Sequence, residues 1–169
     1  MITTNRFILR PLVVADVDEN YVQWFSDYAA KLYITSAIEH QNLETLRSYV
    51  SERENKKDVL FLGIYTVLDQ KHIGNIKFEP ICTETRTATM GILIGDVAWR
   101  GRGVAPEVLD ACCDWLYKNR RIKHILLGVQ KNNTAAIAAY EKSGFKVLAG
   151  DAPNNESGLR MQRDYESRH

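Results

Sequence analysis

The chain has 169 residues, of which 45% are hydrophobic, so we predict a single domain over residues 1–169 with one ordinary hydrophobic core. Its 22 lysines and arginines oppose 21 acidic residues, and a net charge of +1 does not indicate nucleic-acid binding. The three cysteines, Cys82, Cys112 and Cys113, form no disulfide framework; we expect them to be reduced, which favours the cytoplasm. The four histidines are scattered, and no leader or transmembrane-length apolar run is found, so we expect no metal and no membrane partner.

The first predicted elements are a strand over residues 6–12 and a helix after it. Asp16 and Glu19 have the spacing of a capping box, with Asp16 as the residue that caps the helix. The apolar side chains on one face of this helix are predicted to be core. They are Val17, Tyr21, Trp24 and Phe25.

Residues 28–41 show no clean period and mix aromatic with polar side chains. This segment either lines an acceptor pocket or is an ordinary connection between helices, and the sequence leaves both open. Asn42 is predicted to cap a second helix. The apolar face of that helix would carry Leu43, Leu46, Tyr49 and Val50.

Three strands follow. The run 60–68 is apolar and β-branched, which predicts a central strand. A turn at 69–71 joins it to an alternating strand over 72–78, so the two form a hairpin. After a polar loop at 80–86, the third strand covers residues 87–95.

A glycine-rich turn at residues 99–106 joins this third strand to a helix. Gly101 and Gly103 let the backbone approach a ligand closely because they carry no Cβ. The amides of such a turn and the positive end of the helix suit a phosphate. Arg100 and Arg102 are predicted to add positive charge at its rim. The alternative is a tight connection without a ligand.

Two phosphate-binding motifs are excluded at this turn. A Walker loop requires Gly-Lys-Ser/Thr, which is absent, and the dinucleotide fingerprint requires a third glycine where Pro106 stands. Pro106 falls in the predicted first helical turn, where a missing N–H costs little.

The second half of the chain predicts a parallel strand pair. Residues 124–130 form a buried strand after the central helix, and a strand–helix–strand unit implies a right-handed crossover. A short helix begins at Asn133 and ends at Gly144. Strands are then predicted over 145–148 and 159–165, separated by a polar loop.

Two segments resemble the GNAT superfamily of acetyltransferases. Arg100-x-x-Gly103-x-Ala105 is similar to the Arg/Gln-x-x-Gly-x-Gly/Ala signature of that family. The segment from Asn133 through Tyr140 to Phe145 resembles its Asn-x-x-Ser/Ala-x-x-x-Tyr-x-Lys-x-Gly-Phe segment. Both occur in the family's order. The resemblance implies an α/β fold with a mixed, twisted sheet of about seven strands and helices on both faces.

The resemblance also implies acetyl-CoA as cosubstrate, without a metal. In the family, the strand before the turn splays from the next parallel strand and exposes peptide groups for pantetheine. Asn133 would contact the pantetheine arm, and Tyr140 would protonate the leaving thiolate. The cofactor-binding residues implied are Leu93, Ile94, Arg100, Gly101, Arg102, Gly103, Val104, Ala105, Asn133 and Tyr140.

The base that takes the amine proton is marked less clearly. Many members of the family carry a glutamate where this chain has Thr89, two residues before Gly91. Glu79 closes a strand near the expected cleft and is the candidate base, with an ordinary strand-end carboxylate as the alternative. Further candidates are Glu39, His40, His72 and Asp96. The cysteines lack a base partner, so direct attack by the amine is expected.

We therefore expect an N-acetyltransferase that acts on a primary amine. Residues 6–12 and 24–27 resemble the subgroup that acetylates ribosomal-protein N-termini, the Rim-type enzymes. The resemblance leaves the acceptor open between a protein N-terminus and a small-molecule amine such as an amino sugar, and it leaves a homodimer open. The alternatives are a non-catalytic acyl-CoA-binding sensor and a structural domain that binds no CoA.

Overall fold

The computed structural model describes residues 1–26, 41–149 and 158–165. Its strands are β1 (Ile2–Thr3), β2 (Phe7–Pro11), β3 (Leu60–Thr66), β4 (His72–Cys82), β5 (Thr87–Ile94), β6 (His124–Gln130), β7 (Lys146–Val147) and β8 (Gly158–Asp164). Its helices are α1 (Glu19–Trp24), α2 (Leu43–Ser51), α3 (Val104–Arg120) and α4 (Thr134–Lys142), with single 3-10 turns at Val14–Asp16 and Val97–Trp99.

The eight strands form one sheet in the order β1-β2-β3-β4-β5-β6-β8-β7. Every neighbouring pair is antiparallel except β5 and β6, which are parallel as predicted. The sheet has one strand more than expected. The additional strand is β1, whose two residues pair with β2 at the edge of the sheet.

Helices cover both faces of this sheet, as the fold class predicted. Successive side chains of a strand point to opposite faces, and β5 shows the alternation: Met90 belongs to one buried cluster and Leu93 to the other. The larger cluster includes apolar residues of α3 and α4. The smaller cluster packs α1 and α2 onto the opposite face through Tyr21, Leu46 and Val50.

The first helix is capped two residues later than predicted. Asp18, rather than Asp16, accepts the hydrogen bond from the Tyr21 amide and caps α1. Asp16 lies in the preceding 3-10 turn, where its carboxylate accepts two hydrogen bonds from the Arg10 guanidinium. The ion pair to Arg10 therefore takes the carboxylate that the local spacing had assigned to the helix.

Strand β4 extends beyond its predicted end, and the loop after it is shorter. Its register with β5 shifts between Phe78 and Ile81, and pairing then resumes at Ile81 and Ala88. Pro80, which has no N–H to donate, stands at this irregularity. Ile81 is buried, so the burial of one more apolar side chain favours the longer strand. In contrast, β3 ends early at Thr66, because Leu68 is 96% exposed in the turn.

Some predicted features lie outside the described residues. They include the segment 28–41 except Gln41, with its candidate bases Glu39 and His40, and the loop at 150–157. Within the residues that the structure describes, no group of side chains has metal-ligand geometry. No helix in those residues is long and apolar enough to span a bilayer.

All three cysteines are free thiols. Cys112 and Cys113 are buried in the larger core cluster, and burial raises the pKa of both thiols. A thiol of raised pKa is a poor nucleophile at neutral pH. The structure therefore gives these two cysteines a packing role.

Candidate active site

Strands β5 and β6 separate soon after they begin. Their parallel pairing comprises Thr87 with His124, Ala88 with Ile125, and Thr89 with Leu126, and then stops. The five remaining residues of β5 and the four of β6 run on without pairing to each other. This is the splay that the resemblance implied, and it opens a gap toward the carboxyl ends of both strands.

The peptide groups of alternate β5 residues face this gap. Gly95 donates its N–H to Ile73 in the ladder with β4, and the paired register continues through Leu93 and Asn75. Because ladder bonding alternates along an antiparallel strand, the Leu93 backbone is turned toward β4. The N–H and C=O of Ile92 and Ile94 therefore point into the gap. Leu93 itself is buried against α1 and α2.

The glycine turn follows directly at the open end of β5. Gly101 and Gly103 have φ of +70° and +71°, in the left-handed region that suits glycine. Gly103 occupies the N-cap position of α3, and Val104 and Ala105 form the first helical turn. The amides of a first turn have no acceptor within their helix. They are available to an anion at this point.

The two arginines of the turn have different positions. The Arg100 side chain folds back, and its Nε donates to the carbonyl of Ile94 at 2.9 Å while Nη2 donates to Gly95 at 3.4 Å. The expectation that Arg100 charges the rim is therefore corrected: it ties the end of β5 to the turn. Arg102 is exposed, with its guanidinium 5.2 Å from the centre of the Trp99 ring.

Helix α4 begins at the open end of β6. The Asn133 amide donates to the Gln130 carbonyl, and the Asn133 carboxamide oxygen caps α4 by accepting from Ala136 at 3.2 Å. Its Nδ2 is the part of the side chain that could donate to a ligand. Tyr140 lies two helical turns on, half-buried against the larger core, with its ring edge-on to Phe145 at 5.7 Å.

Glu79 is held between two cations. Its Oε2 lies 2.8 Å from Arg53 Nε and 2.9 Å from Lys77 Nζ. Burial opposes ionisation of this carboxyl group, but the hydrogen bonds from Lys77 and Arg53 outweigh it and lower the pKa of Glu79. A general base works best with a pKa near the operating pH. The geometry therefore favours the alternative, a strand carboxylate engaged in ion pairs.

Two other candidate bases have structural partners of their own. The His72 ring is stacked 4.6 Å from Tyr65 and lies edge-on to Trp24, and burial lowers its pKa. The Asp96 carboxylate caps the 3-10 turn by accepting from Ala98 and pairs with Lys71 at 2.7 Å.

A shallow trough crosses the gap on the face that carries α1 and α2. We define it by Gly91 and Gly128, which lie two residues beyond the last parallel pair on β5 and β6. A Cβ on either glycine would meet nothing within 4 Å among the described residues. Lys77 pairs with Gly91 and Arg160 pairs with Gly128, so a cationic residue flanks the trough on each side. Sequence reasoning missed this row, because only the strand register aligns it.

Comparison with known proteins agrees with this geometry. Residues 6–146 match the family model described as an acetyltransferase (GNAT) domain. A probable N-acetyltransferase of Bacillus subtilis, YjcK, is 26% identical over 151 residues, which cover 86% of this chain and 83% of that protein.

Solved structures share the fold at lower identity. A spermidine N-acetyltransferase chimera from Vibrio cholerae and hSSAT has a TM-score of 0.78 at 18% identity, covering 94% of this chain and 95% of that one. The microcin C7 self-immunity acetyltransferase MccE, in complex with acetyl-CoA and AMP, has a TM-score of 0.78 at 16% identity, covering 95% and 93%. A putative ribosomal-protein-serine acetyltransferase from Vibrio cholerae has a TM-score of 0.77 at 13% identity, covering 97% of each chain.

The family model spans most of the chain and includes the splayed strands, the glycine turn and α4. The chain therefore belongs to the GNAT family of acetyltransferases.

Proposed function

We propose that this protein transfers the acetyl group of acetyl-CoA directly to a primary amine. The observation that carries the proposal is the gap between β5 and β6, which opens beside a turn with anion-binding amides. A diphosphate at the turn and an amide-bearing arm along β5 are the two recognition elements that CoA requires. Ligands of sheets with parallel strands bind at the carboxyl ends of those strands, where both elements lie.

The donor would bind through backbone groups. The first-turn amides of α3, from Gly103 to Ala105, suit the pyrophosphate. The peptide groups of Ile92 and Ile94 would bond the pantetheine arm as an added strand does. Leu93 would contribute by positioning, since its own backbone is paired with β4. Asn133 would donate from its Nδ2 at the far side of the gap.

Acetyl transfer needs a proton at the sulfur. The amine nitrogen attacks the thioester carbon, a C–N bond forms, and the C–S bond breaks with the electron pair moving to sulfur. Tyr140 is the proposed acid that protonates this thiolate. The ordinary pKa of a phenol is about 1.5 above that of a thiol, so the transfer costs about 2 kcal/mol and the phenol remains protonated until sulfur departs.

The amine proton is assigned to solvent. Neither of the described candidates near the cleft suits the task, because Glu79 is ion-paired and Thr89 has no basic group. Thr89 and Gly91 are exposed, so water can reach an amine held over the trough.

The trough supports an acceptor that carries an anionic group near its amine. Lys77 and Arg160 would attract a carboxylate or phosphate and would repel a polyamine. Glu79 offsets part of the charge of Lys77, but Arg53 restores it, so this side of the trough keeps net positive charge. Acidic peptide N-termini and small amines bearing a carboxylate or phosphate are thus preferred, consistent with the resemblance of residues 6–12 to Rim-type enzymes.

The test is release of CoA thiol from acetyl-CoA, with acetylated product identified by mass spectrometry. The acceptors are offered in matched pairs: phosphoethanolamine with ethanolamine, and an acidic tripeptide with its lysine-rich counterpart. Spermidine is included because a structural neighbour is a spermidine acetyltransferase. We expect the anionic member of each pair to react faster, and Arg160→Glu to reverse the order.

Tyr140→Phe separates an enzyme from a sensor. Because a general acid contributes about 10²- to 10⁴-fold, kcat should fall by that factor while the Kd for CoA stays unchanged. CoA binding without turnover on any amine would favour the non-catalytic sensor. An absence of CoA binding would refute both.

A further inference from the structure

We propose that Arg6 and Glu107 form a clamp that holds the glycine turn in its anion-binding conformation. This inference rests on the proposed function, in which that turn receives the pyrophosphate of acetyl-CoA. Arg6 precedes β2 and Glu107 lies in the first turn of α3, 101 residues further along the chain. Neither residue takes part in the proposed acetyl transfer itself.

The clamp consists of four hydrogen bonds from one residue. The Arg6 backbone N–H donates to Glu107 Oε1 at 3.0 Å, and its Nε donates to Oε2 at 2.7 Å. Its two terminal nitrogens donate to the turn itself: Nη1 to the Arg102 carbonyl at 3.0 Å and Nη2 to the Gly103 carbonyl at 3.2 Å. One guanidinium thus joins the helix start to two consecutive carbonyls of the turn.

These two carbonyl bonds determine where the amides point. In a planar trans peptide, the C=O of one residue and the N–H of the next point in opposite directions. With the Arg102 and Gly103 carbonyls held toward Arg6, the N–H groups of Gly103 and Val104 are directed away from it. Successive amides on one side make a concave anion site.

Arg6 also removes a charge that would oppose the anion. A carboxylate in the first turn of α3 lies close to the proposed pyrophosphate and would repel it. Burial alone would raise the pKa of Glu107, but hydrogen bonds from Thr4 and Arg6 lower it, so the group is ionised at neutral pH. The Arg6 guanidinium, at 2.7 Å, neutralises that carboxylate.

The anchor of the clamp is rigid. The Arg6 carbonyl accepts from the Val67 amide at 2.9 Å, and the next residue, Phe7, is fully buried with its ring edge-on to Trp99 at 5.5 Å. Because Trp99 belongs to the connection between β5 and the turn, β2 holds both ends of that connection. A lysine at position 6 would keep the charge but lacks the planar fork of donors that these contacts require.

The experiment compares Arg6→Gln, Arg6→Lys and Glu107→Gln with a matched control, Arg10→Gln. Arg10 is four residues along from Arg6 and also forms a two-point ion pair, with Asp16 at 2.7 and 3.0 Å, but it does not contact the turn. Calorimetry measures the Kd for CoA. A parallel assay uses S-acetylpantetheine, which is an acetyl donor without the pyrophosphate.

We expect Arg6→Gln and Arg6→Lys each to raise the Kd for CoA at least tenfold, and Glu107→Gln to raise it about threefold. Rates with saturating S-acetylpantetheine should stay within twofold of the unmodified protein. Arg10→Gln should lower the melting temperature without changing either readout.

Three outcomes would overturn the clamp. They are normal CoA affinity in Arg6→Lys, equal losses with both donors, or an equal loss in Arg10→Gln, since each points to charge or to general stability. If the unmodified protein binds no CoA, the proposed function fails, and the clamp fails with it. If the unmodified protein binds CoA and the Arg6 variants bind it equally well, only the clamp is refuted.

Discussion

Gly103 provides a quantitative test of the turn, because its requirement is conformational and not steric. Its φ is +71°, yet a Cβ there would come no nearer than 3.7 Å to Arg6 Nη2, an ordinary contact. An L-residue in this region costs about 1–2 kcal/mol. Replacing glycine also reduces the freedom of the unfolded chain, which returns about 0.4–1 kcal/mol. Gly103→Ala should therefore destabilise the protein by roughly 1 kcal/mol, about 2–4 °C in Tm for a domain of this size.

Two further variants make this magnitude specific. Gly103→Asn should recover most of the loss, since asparagine tolerates the left-handed region and is a good N-cap residue. Gly91→Ala should leave the Tm within about 1 °C, because no described atom lies near its Cβ. If the alanine variant relaxes the turn, CoA must restore the conformation, and roughly 1 kcal/mol corresponds to about fivefold weaker binding.

Thermal denaturation and CoA titration of these variants decide the question. Equal melting temperatures for Gly103→Ala and Gly103→Asn would show that the turn is not left-handed in solution. A conformational requirement for glycine at position 103 would then be refuted.

Three further predictions concern the site and the adjoining core. Glu79→Gln should keep kcat within about threefold; a loss of 100-fold or more in steady-state kinetics would restore Glu79 as the base. Tyr21→Phe removes the buried partner of Asn75, whose Nδ2 donates to it at 3.1 Å, and should cost about 1–3 kcal/mol in urea unfolding; a neutral result would contradict that hydrogen bond. Burial lowers the pKa of His72, so the unfolded chain gains a proton before the folded one, and stability should fall as the pH drops below about 6.5, by at most 1.4 kcal/mol per pH unit. In denaturation at several pH values, His72→Phe should flatten this slope, and an unchanged slope would mean that His72 does not cause it.

Local signals in the sequence predicted the elements that build the donor side. The strand over 124–130 was predicted with its observed bounds, because alternate residues of it are buried. The turn at Gly101 and Gly103 and the cap at Asn133 depend on residue types with strong conformational preferences. These features are encoded within a few neighbouring residues, so a linear pattern contains them.

Features that depend on tertiary partners were not accessible in the same way. Asp16 and Asp18 are equally good caps by local rules, and only the position of Arg10 decides between them. The direction of the Arg100 side chain depends on carbonyls at the end of β5. The pairing of Arg6 with Glu107 joins two residues that no local pattern connects.

The short ladder between β5 and β6 has a mechanical consequence. Among the described strands, three residue pairs are the whole of the ladder that connects the β1–β5 part of the sheet with the β6–β8 part. An elongated molecule lying in the wedge would act as a substitute strand and stitch the halves together. Occupancy of the wedge should then register as slowed deuterium uptake along both of its walls, at residues that the molecule itself does not touch.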